Sequence, residues 1–252
     1  MKFINFLKAD IKIINSYFLI ILILLILVGV GYSSYALFSI SKTSNNIIEL
    51  EVGEMTKLAT ETLISQTDNL NESGLYTIVH SADSTLQIGA TESVTEYRYR
   101  GASPKNYVTF NNETWRIIGI FPTEDENGNI ENRIKLIRNE SIGNNYWNTT
   151  KVSSTNSYNN WTGATLKTYL NGDYYNTLTS EAQSMIGSSK YYLGGYNATS
   201  QTSQDMYSYE RKIANTTSNE FYYGSNPNSW VGKLALMYES DYGYASLNCE
   251  TK

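Results

Sequence analysis

The chain holds one histidine, His80, and one cysteine, Cys249, so acid–base or nucleophilic chemistry has few residues to draw on. A general base must sit within hydrogen-bond reach of its substrate or nucleophile, and a cysteine nucleophile needs such a base beside it. His80 closes an alternating stretch well before the aromatic-rich half of the sequence and reads as a solvated strand-end residue. Cys249 lies close to Lys252 with no basic partner evident. Two clusters combine opposite charges, Arg138-Asn139-Glu140 and Tyr209-Glu210-Arg211, and both read as structural ion pairs. The acidic run from Glu124 to Asn129 has the look of a calcium loop, but its glycine, Gly128, comes too early for the EF-hand turn; a solvated hairpin tip fits better. The expectation is therefore no catalytic residue, no metal site and no cofactor.

Aromatic side chains are the stronger signal. The chain has 22 Tyr and 4 Trp, many set among Asn and Ser in loop-like stretches. Aromatic faces stack on flat partners and act as rigid anchors at interfaces. Trp147, Tyr158, Tyr192, Tyr196, Tyr209 and Tyr222 are the candidate ligand-binding residues, for a glycan or a surface protein. Trp115 and Trp230 fall in expected strands, and Trp161 precedes an expected helix, so packing explains these three.

The elements that must position those residues can be read from periodicity. Alternation marks strands at 48–52, 75–80, 97–100 and 107–110, and the apolar run TWRIIGIF at 114–121 suits a central strand ended by Pro122. Asn111-Asn112 suits a tight hairpin, and Asn127-Gly128 a second one returning through 133–138. Helical spacing covers 54–65. Thr162 is an expected cap for a short helix stopped at Asn171-Gly172, and Ser180 with Gln183 for another closed by Gly187. Tyr- and Asn-rich loops follow, then a last strand at 230–238. Strands first, small helices and irregular loops after, imply an α+β fold rather than repeating βαβ units. The polar segment 81–95 reads as a boundary, which divides the chain into 1–38, 39–95 and 96–252.

The first division carries an address. Phe18 to Val28 is an unbroken apolar run preceded by Lys2, Lys8 and Lys12. Taken as residues 17–38 it is long enough to cross a bilayer of about 30 Å, with the N-terminus inside and the remainder outside. The sequence leaves two alternatives open: a retained single-pass anchor in the cell membrane, or a signal peptide cut after Ala36 in the small-x-small stretch Ser34-Tyr35-Ala36, which would make the protein secreted. The formal net charge is −5, and without the N-terminal lysines the remainder is more acidic still. That argues against nucleic acid as a partner. A single cysteine outside the cytoplasm has no internal disulfide partner. The seven Asn-x-Ser/Thr triplets, at Asn71, Asn112, Asn139, Asn148, Asn160, Asn197 and Asn215, follow from composition.

Five stretches, NYVTFNNETWRIIGIF, RIKLIRNESIG, NNWTGATLKTYLNGDYYNTL, KYYLGGYN and WVGKLALMYESDYGYA, together resemble a bacterial surface family of unknown function, DUF6273, over about Tyr97 to Ala245. The resemblance implies a C-type lectin-like domain of the formylglycine-generating type: a small twisted antiparallel sheet, two short helices and long loops. It brings no established catalytic residues. Members run on past a DYGYA-like segment to a second cysteine and a closing strand of the type GVRPVVYL. By that resemblance this chain is incomplete at its C-terminus, and the disulfide partner of Cys249 lies outside it. Asn226-Pro227-Asn228 resembles the calcium and sugar tripeptide of true C-type lectins, without the Trp-Asn-Asp strand that accompanies it there. At the N-terminus, SSYALFSISKTSNN resembles the start of secreted matrix proteins of the TasA/camelysin type. The functional expectation is a membrane-tethered or secreted, non-catalytic binding or adhesion module, with a structural component of an extracellular matrix or surface assembly as the alternative.

Overall fold

The computed structural model describes residues 48–49, 55–149, 160–194, 202–213 and 226–246. The expected membrane segment, Cys249, Tyr158, Tyr196 and Tyr222 lie outside these residues. Among the described residues no helix is long and apolar enough to cross a membrane. The described fold is mixed α+β, with antiparallel sheets and a few short helices.

Six strands form the main sheet: β1 (Ile48–Glu49), β2 (Gly74–His80), β3 (Val94–Arg100), β4 (Tyr107–Phe110), β5 (Glu113–Glu124) and β6 (Ile130–Arg138). Their order is β1-β4-β5-β3-β2, with β6 also on β5. The pairings are antiparallel except β1 with β4. A strand has two edges, so β4 and then β3 share one edge of β5 while β6 runs along the other. The β4–β5 turn is made by Asn111 and Asn112, both with positive φ (53° and 58°). Two left-handed residues give the turn the twist a hairpin needs, and Asn tolerates that backbone. Asp125 holds the β5–β6 turn: its carboxylate accepts the backbone N–H groups of Asn127 and Asn129, while Gly128 takes φ +85°. β5 does not stop at Pro122. Pro122 lies opposite Asn132 of β6, beyond the last β3 pairing at Ile120, so its missing N–H falls where no ladder bond to β3 is required.

A bulge in β5 decides which residues face which side. The register with β6 slips between Ile117 and Gly119, leaving Ile118 as the extra residue. Strict alternation would send Ile117 and Ile120 to opposite faces. With the bulge, Trp115, Ile117 and Ile120 all join one core, together with Val108, Tyr99 and Leu75. Helix α1 (Met55–Ile64) contributes Leu63 to this core, and α3 (Ser180–Met185) contributes Ala182. Gly119 and Phe121 then turn to the other face.

That other face is covered too, which the sequence reading did not anticipate. Helix α4 (Ser203–Arg211) and helix α5 (Glu239–Gly243) pack there, so residues 203–211, expected to be loop, are helical. α4 begins with a capping box between Thr202 and Asp205. The expected strand 230–238 is only β8 (Ser229–Gly232), paired with β7 (Ser189–Tyr192) in a second, two-stranded sheet. Tyr191 and Tyr192 are therefore strand residues, not loop residues.

Two further expectations are corrected. The division at 95/96 falls inside the main sheet: β2 and β3 pair over their whole length, from Gly74 with Arg100 to His80 with Val94. Residues 81–93 are the connection of that hairpin. They are pinned to the end of α4 by hydrogen bonds from Gln87 N to the Arg211 carbonyl and from Ile213 N to the Thr85 carbonyl, with Leu86 buried. The helix expected to stop at Asn171-Gly172 is α2 (Thr165–Tyr169), and it continues through a wider π turn and a 3-10 turn to Thr177. Asn171 does not terminate it because its amide is otherwise engaged, donating to the Lys167 and Leu234 carbonyls and accepting from Lys233 N and Leu234 N. The cap of α3 is Thr179, whose hydroxyl accepts from Ala182 N, one residue before the expected Ser180.

A Cβ at Gly119 would lie 2.2 Å from the Tyr97 carbonyl oxygen and 3.1 Å from Arg98 Cα, where β3 crosses onto β5. Gly119→Ala is expected to lower stability by about 2–4 kcal/mol, read as a drop in the urea midpoint. Gly128→Ala, at an open turn with nothing within 4 Å but with φ +85°, should cost about 1–2 kcal/mol, the strain of left-handed backbone alone.

Candidate functional site

On the second face, β3 alternation turns Glu96 and Arg98 inward. Arg98 is 1% exposed. Its Nε donates to Glu96 Oε2 at 2.8 Å and its Nη1 to Asp241 Oδ1 at 3.0 Å. The guanidinium also lies 4.6 Å from the Phe121 ring centroid and 4.8 Å from that of Tyr244. Asp241, on α5, accepts from Lys135 Nζ of β6 at 2.5 Å and from Tyr238 N at 3.0 Å. From α4, Arg211 pairs with Glu210 at 2.7 Å and approaches Glu96 at 3.9 Å. Glu210 in turn accepts from the Ser240 backbone N at 2.8 Å and its hydroxyl at 2.6 Å. Three carboxylates thus meet three cations in a water-poor layer between sheet and helices. Lys135 reaches furthest towards solvent, with its side chain 24% exposed.

His80 belongs to this cluster. The expected solvated strand-end histidine is instead 2% exposed. The β2–β3 register places it opposite Val94 on the covered face. Its Nε2 lies 3.2 Å from Glu96 Oε2 and its Nδ1 2.7 Å from Gln204 Oε1 of α4. The ring stacks on Tyr207 at 3.5 Å and 7°. Arg211 Cζ is 3.8 Å from the same Tyr207 ring; two groups so close to one centroid cannot share a face, so His80 and Arg211 sandwich Tyr207.

Burial and pairing act in opposite directions on these groups. Burial by itself would raise the Glu96 carboxyl, but Arg98, the His80 hydrogen bond and Arg211 hold it well below the usual carboxylate range. Burial opposes Asp241 in the same way, and Lys135 and Arg98 bring it below its ordinary value. Burial lowers Lys135, with Asp241 resisting. It pushes the Tyr238 and Tyr207 hydroxyls far up. The two tyrosines therefore stay neutral while Glu96 and Asp241 stay charged.

The aromatic candidates fall differently. Trp147 is 37% exposed and begins a row: Trp147 to Trp161 at 5.5 Å, Trp161 to Trp230 at 5.8 Å edge-on, and Trp230 stacked with Tyr191 at 5.4 Å. Trp161 is buried, as expected, and its indole N–H has no acceptor. Trp230 is half-buried and packs with it. The loop carrying Trp147 is fastened to the start of α2. Leu166 N donates to the Trp147 carbonyl, Thr165 N to Asn148 Oδ1, and Thr149 N to Thr165 Oγ1. Tyr146, beside it, is 80% exposed; the sequence reading passed over it.

Of the other candidates, Tyr192 is 7% exposed and packs with Ile88, Val94 and Tyr238, because β7 turns it inward; burial pushes its hydroxyl up to about 12. Tyr209 is half-buried on α4. Asn228 serves as a brace: its carbonyl accepts from Leu193 N and Gln87 Nε2, and its amide donates to the Ile213 carbonyl. The Glu210–Arg211 ion pair is present, whereas Arg138 pairs with Glu113 rather than Glu140. Among the described residues, no three His, Cys, Asp or Glu side chains gather as a metal ion would require.

Comparison with known proteins gives no match to any family model, any curated protein or any solved structure.

Replacing Arg98 strands Glu96 and Asp241 in a buried layer. Arg98→Met is expected to cost about 3–5 kcal/mol, measured by urea unfolding at neutral pH. Acid should act on the same groups. Glu96 and Asp241 have folded pKa values below their ordinary 4.5 and 3.8, so their contribution is complete above those values and is lost as pH falls towards the folded ones. Urea midpoints should be flat near neutrality and decline from about pH 4.5 downward, and the decline should be shallower in Glu96→Gln.

Proposed function

We propose that this protein is a non-catalytic binding module held outside the cell by residues 17–38, and that it binds a glycan on the Trp147 face. The observation that carries the reading is the mounting of Trp147: a partly exposed indole on a loop that three hydrogen bonds fix to α2, backed by Trp161 and Trp230. A rigid aromatic face loses little conformational freedom on binding, and its apolar surface suits the C–H face of a sugar ring. Tyr146 widens that face.

Three features support the rest. The ionisable side chains of the buried cluster are engaged with one another, which suits a scaffold rather than a proton-transfer site. Strands, short helices and long connections suit the lectin-like reading. The lysine-flanked apolar run suits a tethered or exported chain.

The test is the full chain on an array of bacterial cell-wall and host glycans, followed by titration of the hits through tryptophan fluorescence. Trp147→Ala is expected to weaken binding about tenfold or more, the loss of 1.4 kcal/mol or above typical of a central aromatic anchor, with the circular dichroism unchanged. Absence of any glycan hit, or full affinity in Trp147→Ala, would remove the reading.

A further inference from the structure

Two asparagines of the chain are followed directly by glycine, Asn127 and Asn171. This dipeptide has a chemistry of its own. The backbone nitrogen that follows an asparagine can attack the carbonyl carbon of that residue's side chain, and a glycine there puts no Cβ in the way. Asparagine counts among the thermally labile residues. The reaction needs the side chain and the next peptide to swing towards each other, so the fold decides which of the two pairs can react.

The two environments are opposite. Asn127 and Gly128 are both exposed at the tip of the β5–β6 hairpin. Among the described residues nothing holds the Asn127 side-chain amide; its backbone N–H alone is engaged, by Asp125 Oδ1 at 2.7 Å. The attacking group, Gly128 N, is tied by one bond of 3.2 Å to the Asp125 carbonyl, and the space a Cβ would take on Gly128 is open. Asn171 is half-buried inside the π turn Leu170–Tyr174. Its amide nitrogen donates to the Lys167 and Leu234 carbonyls, and its amide oxygen accepts from Lys233 N and Leu234 N. Four bonds to two separate segments fix the side chain, and the surrounding helical turns fix the peptide that follows it.

We propose that Asn127 is a site of spontaneous deamidation in the folded protein, and that the fold shields Asn171 from the same reaction. Gly128 N loses its proton and bonds to Cγ of Asn127, the Cγ–Nδ2 bond breaks, and ammonia leaves. Water then opens the cyclic imide. Opening at the side-chain carbonyl gives aspartate, and opening at the main-chain carbonyl gives isoaspartate, whose backbone is longer by one methylene. Either product adds a negative charge to a tip that already carries Glu124, Asp125, Glu126 and Glu131. Isoaspartate also displaces the N–H groups that the Asp125 carboxylate braces. The site is separate from the Trp147 face and does not depend on the glycan reading.

The test is incubation of the full chain in warm, mildly alkaline buffer, followed by peptide mapping at acid pH with mass spectrometry and by methyltransferase labelling of isoaspartate. Aspartate and isoaspartate are expected at 127, forming about tenfold or more faster than at 171, and faster as pH rises. In concentrated urea the two positions should convert at similar rates. Gly128→Ala should slow conversion at 127 about tenfold, because its Cβ obstructs the attacking nitrogen. The proposal is overturned if Asn127 outlasts or merely matches Asn171 in the folded chain, or if Gly128→Ala converts as fast as the parent. It is equally overturned if Asn171 stays intact in urea, which would place the difference in the flanking residues and not in the fold.

Discussion

Arg98 ties together parts of the molecule that nothing else joins so directly. It stands on the middle of β3, donates to Glu96 on its own strand and to Asp241 on α5, and spreads its remaining surface over Phe121 and Tyr244. Through Asp241 it engages β6, and through Glu96 it engages β2 and α4. A guanidinium can do this where an ammonium cannot, since its flat fork presents several donors at fixed angles. Such a layer adds little net stability compared with a well-packed apolar one. Its effect is on arrangement: each partner has one position in which every charge is met, so the two C-terminal helices have one seat on the sheet.

The bulge at Ile118 makes that arrangement compatible with an ordinary core. By resetting alternation it lets β5 give Trp115, Ile117 and Ile120 to the apolar side and Phe121 to the charged side. The main sheet is thus sandwiched between two unlike layers, one of hydrocarbon and one of ion pairs. β6 shares both characters, with Ile134 and Leu136 on one side and Arg133 and Lys135 on the other.

The legible parts of this structure were the local ones. Asn111-Asn112 and Asn127-Gly128 announced their hairpins because positive φ is a property of the residues themselves. The helix over Met55–Ile64 showed its spacing. The burial of Trp115 and Trp161 followed from size and context. Glu96 and Arg98 were missed because alternation marks a strand without saying which of its faces is covered, and His80 because the end of a strand reads as solvated. With both faces covered, alternation marks two interiors and no exterior. A trace was present: Glu96 and Arg98 stand two apart on one strand face, opposite charges preset to pair. α4 carried a Thr-x-x-Asp cap signal that its polar, tyrosine-rich sequence obscured. Pro122 misled for a related reason, since a proline ends a strand only where its missing N–H is needed. The Trp147 mounting could not be read at all, because its hydrogen bonds join residues 147–149 to a helix start at 165.

The two acceptors of Arg98 differ in when they become available. Glu96 is two residues away, whereas Asp241 is separated from it by 143 positions. As a chain emerges from its amino end, β2, β3, β5 and β6 can pair early, with Arg98 half-satisfied on a sheet face still bare. The covering helices follow the sheet strands in the sequence. Closing contacts of such long range is slow, and until α5 is in place Phe121 lacks its cover and Arg98 lacks one of its two acceptors. Completion of the ion-pair layer thus waits on a stretch made long after the sheet, and the timing of that step is set by the 143 positions between its two sides.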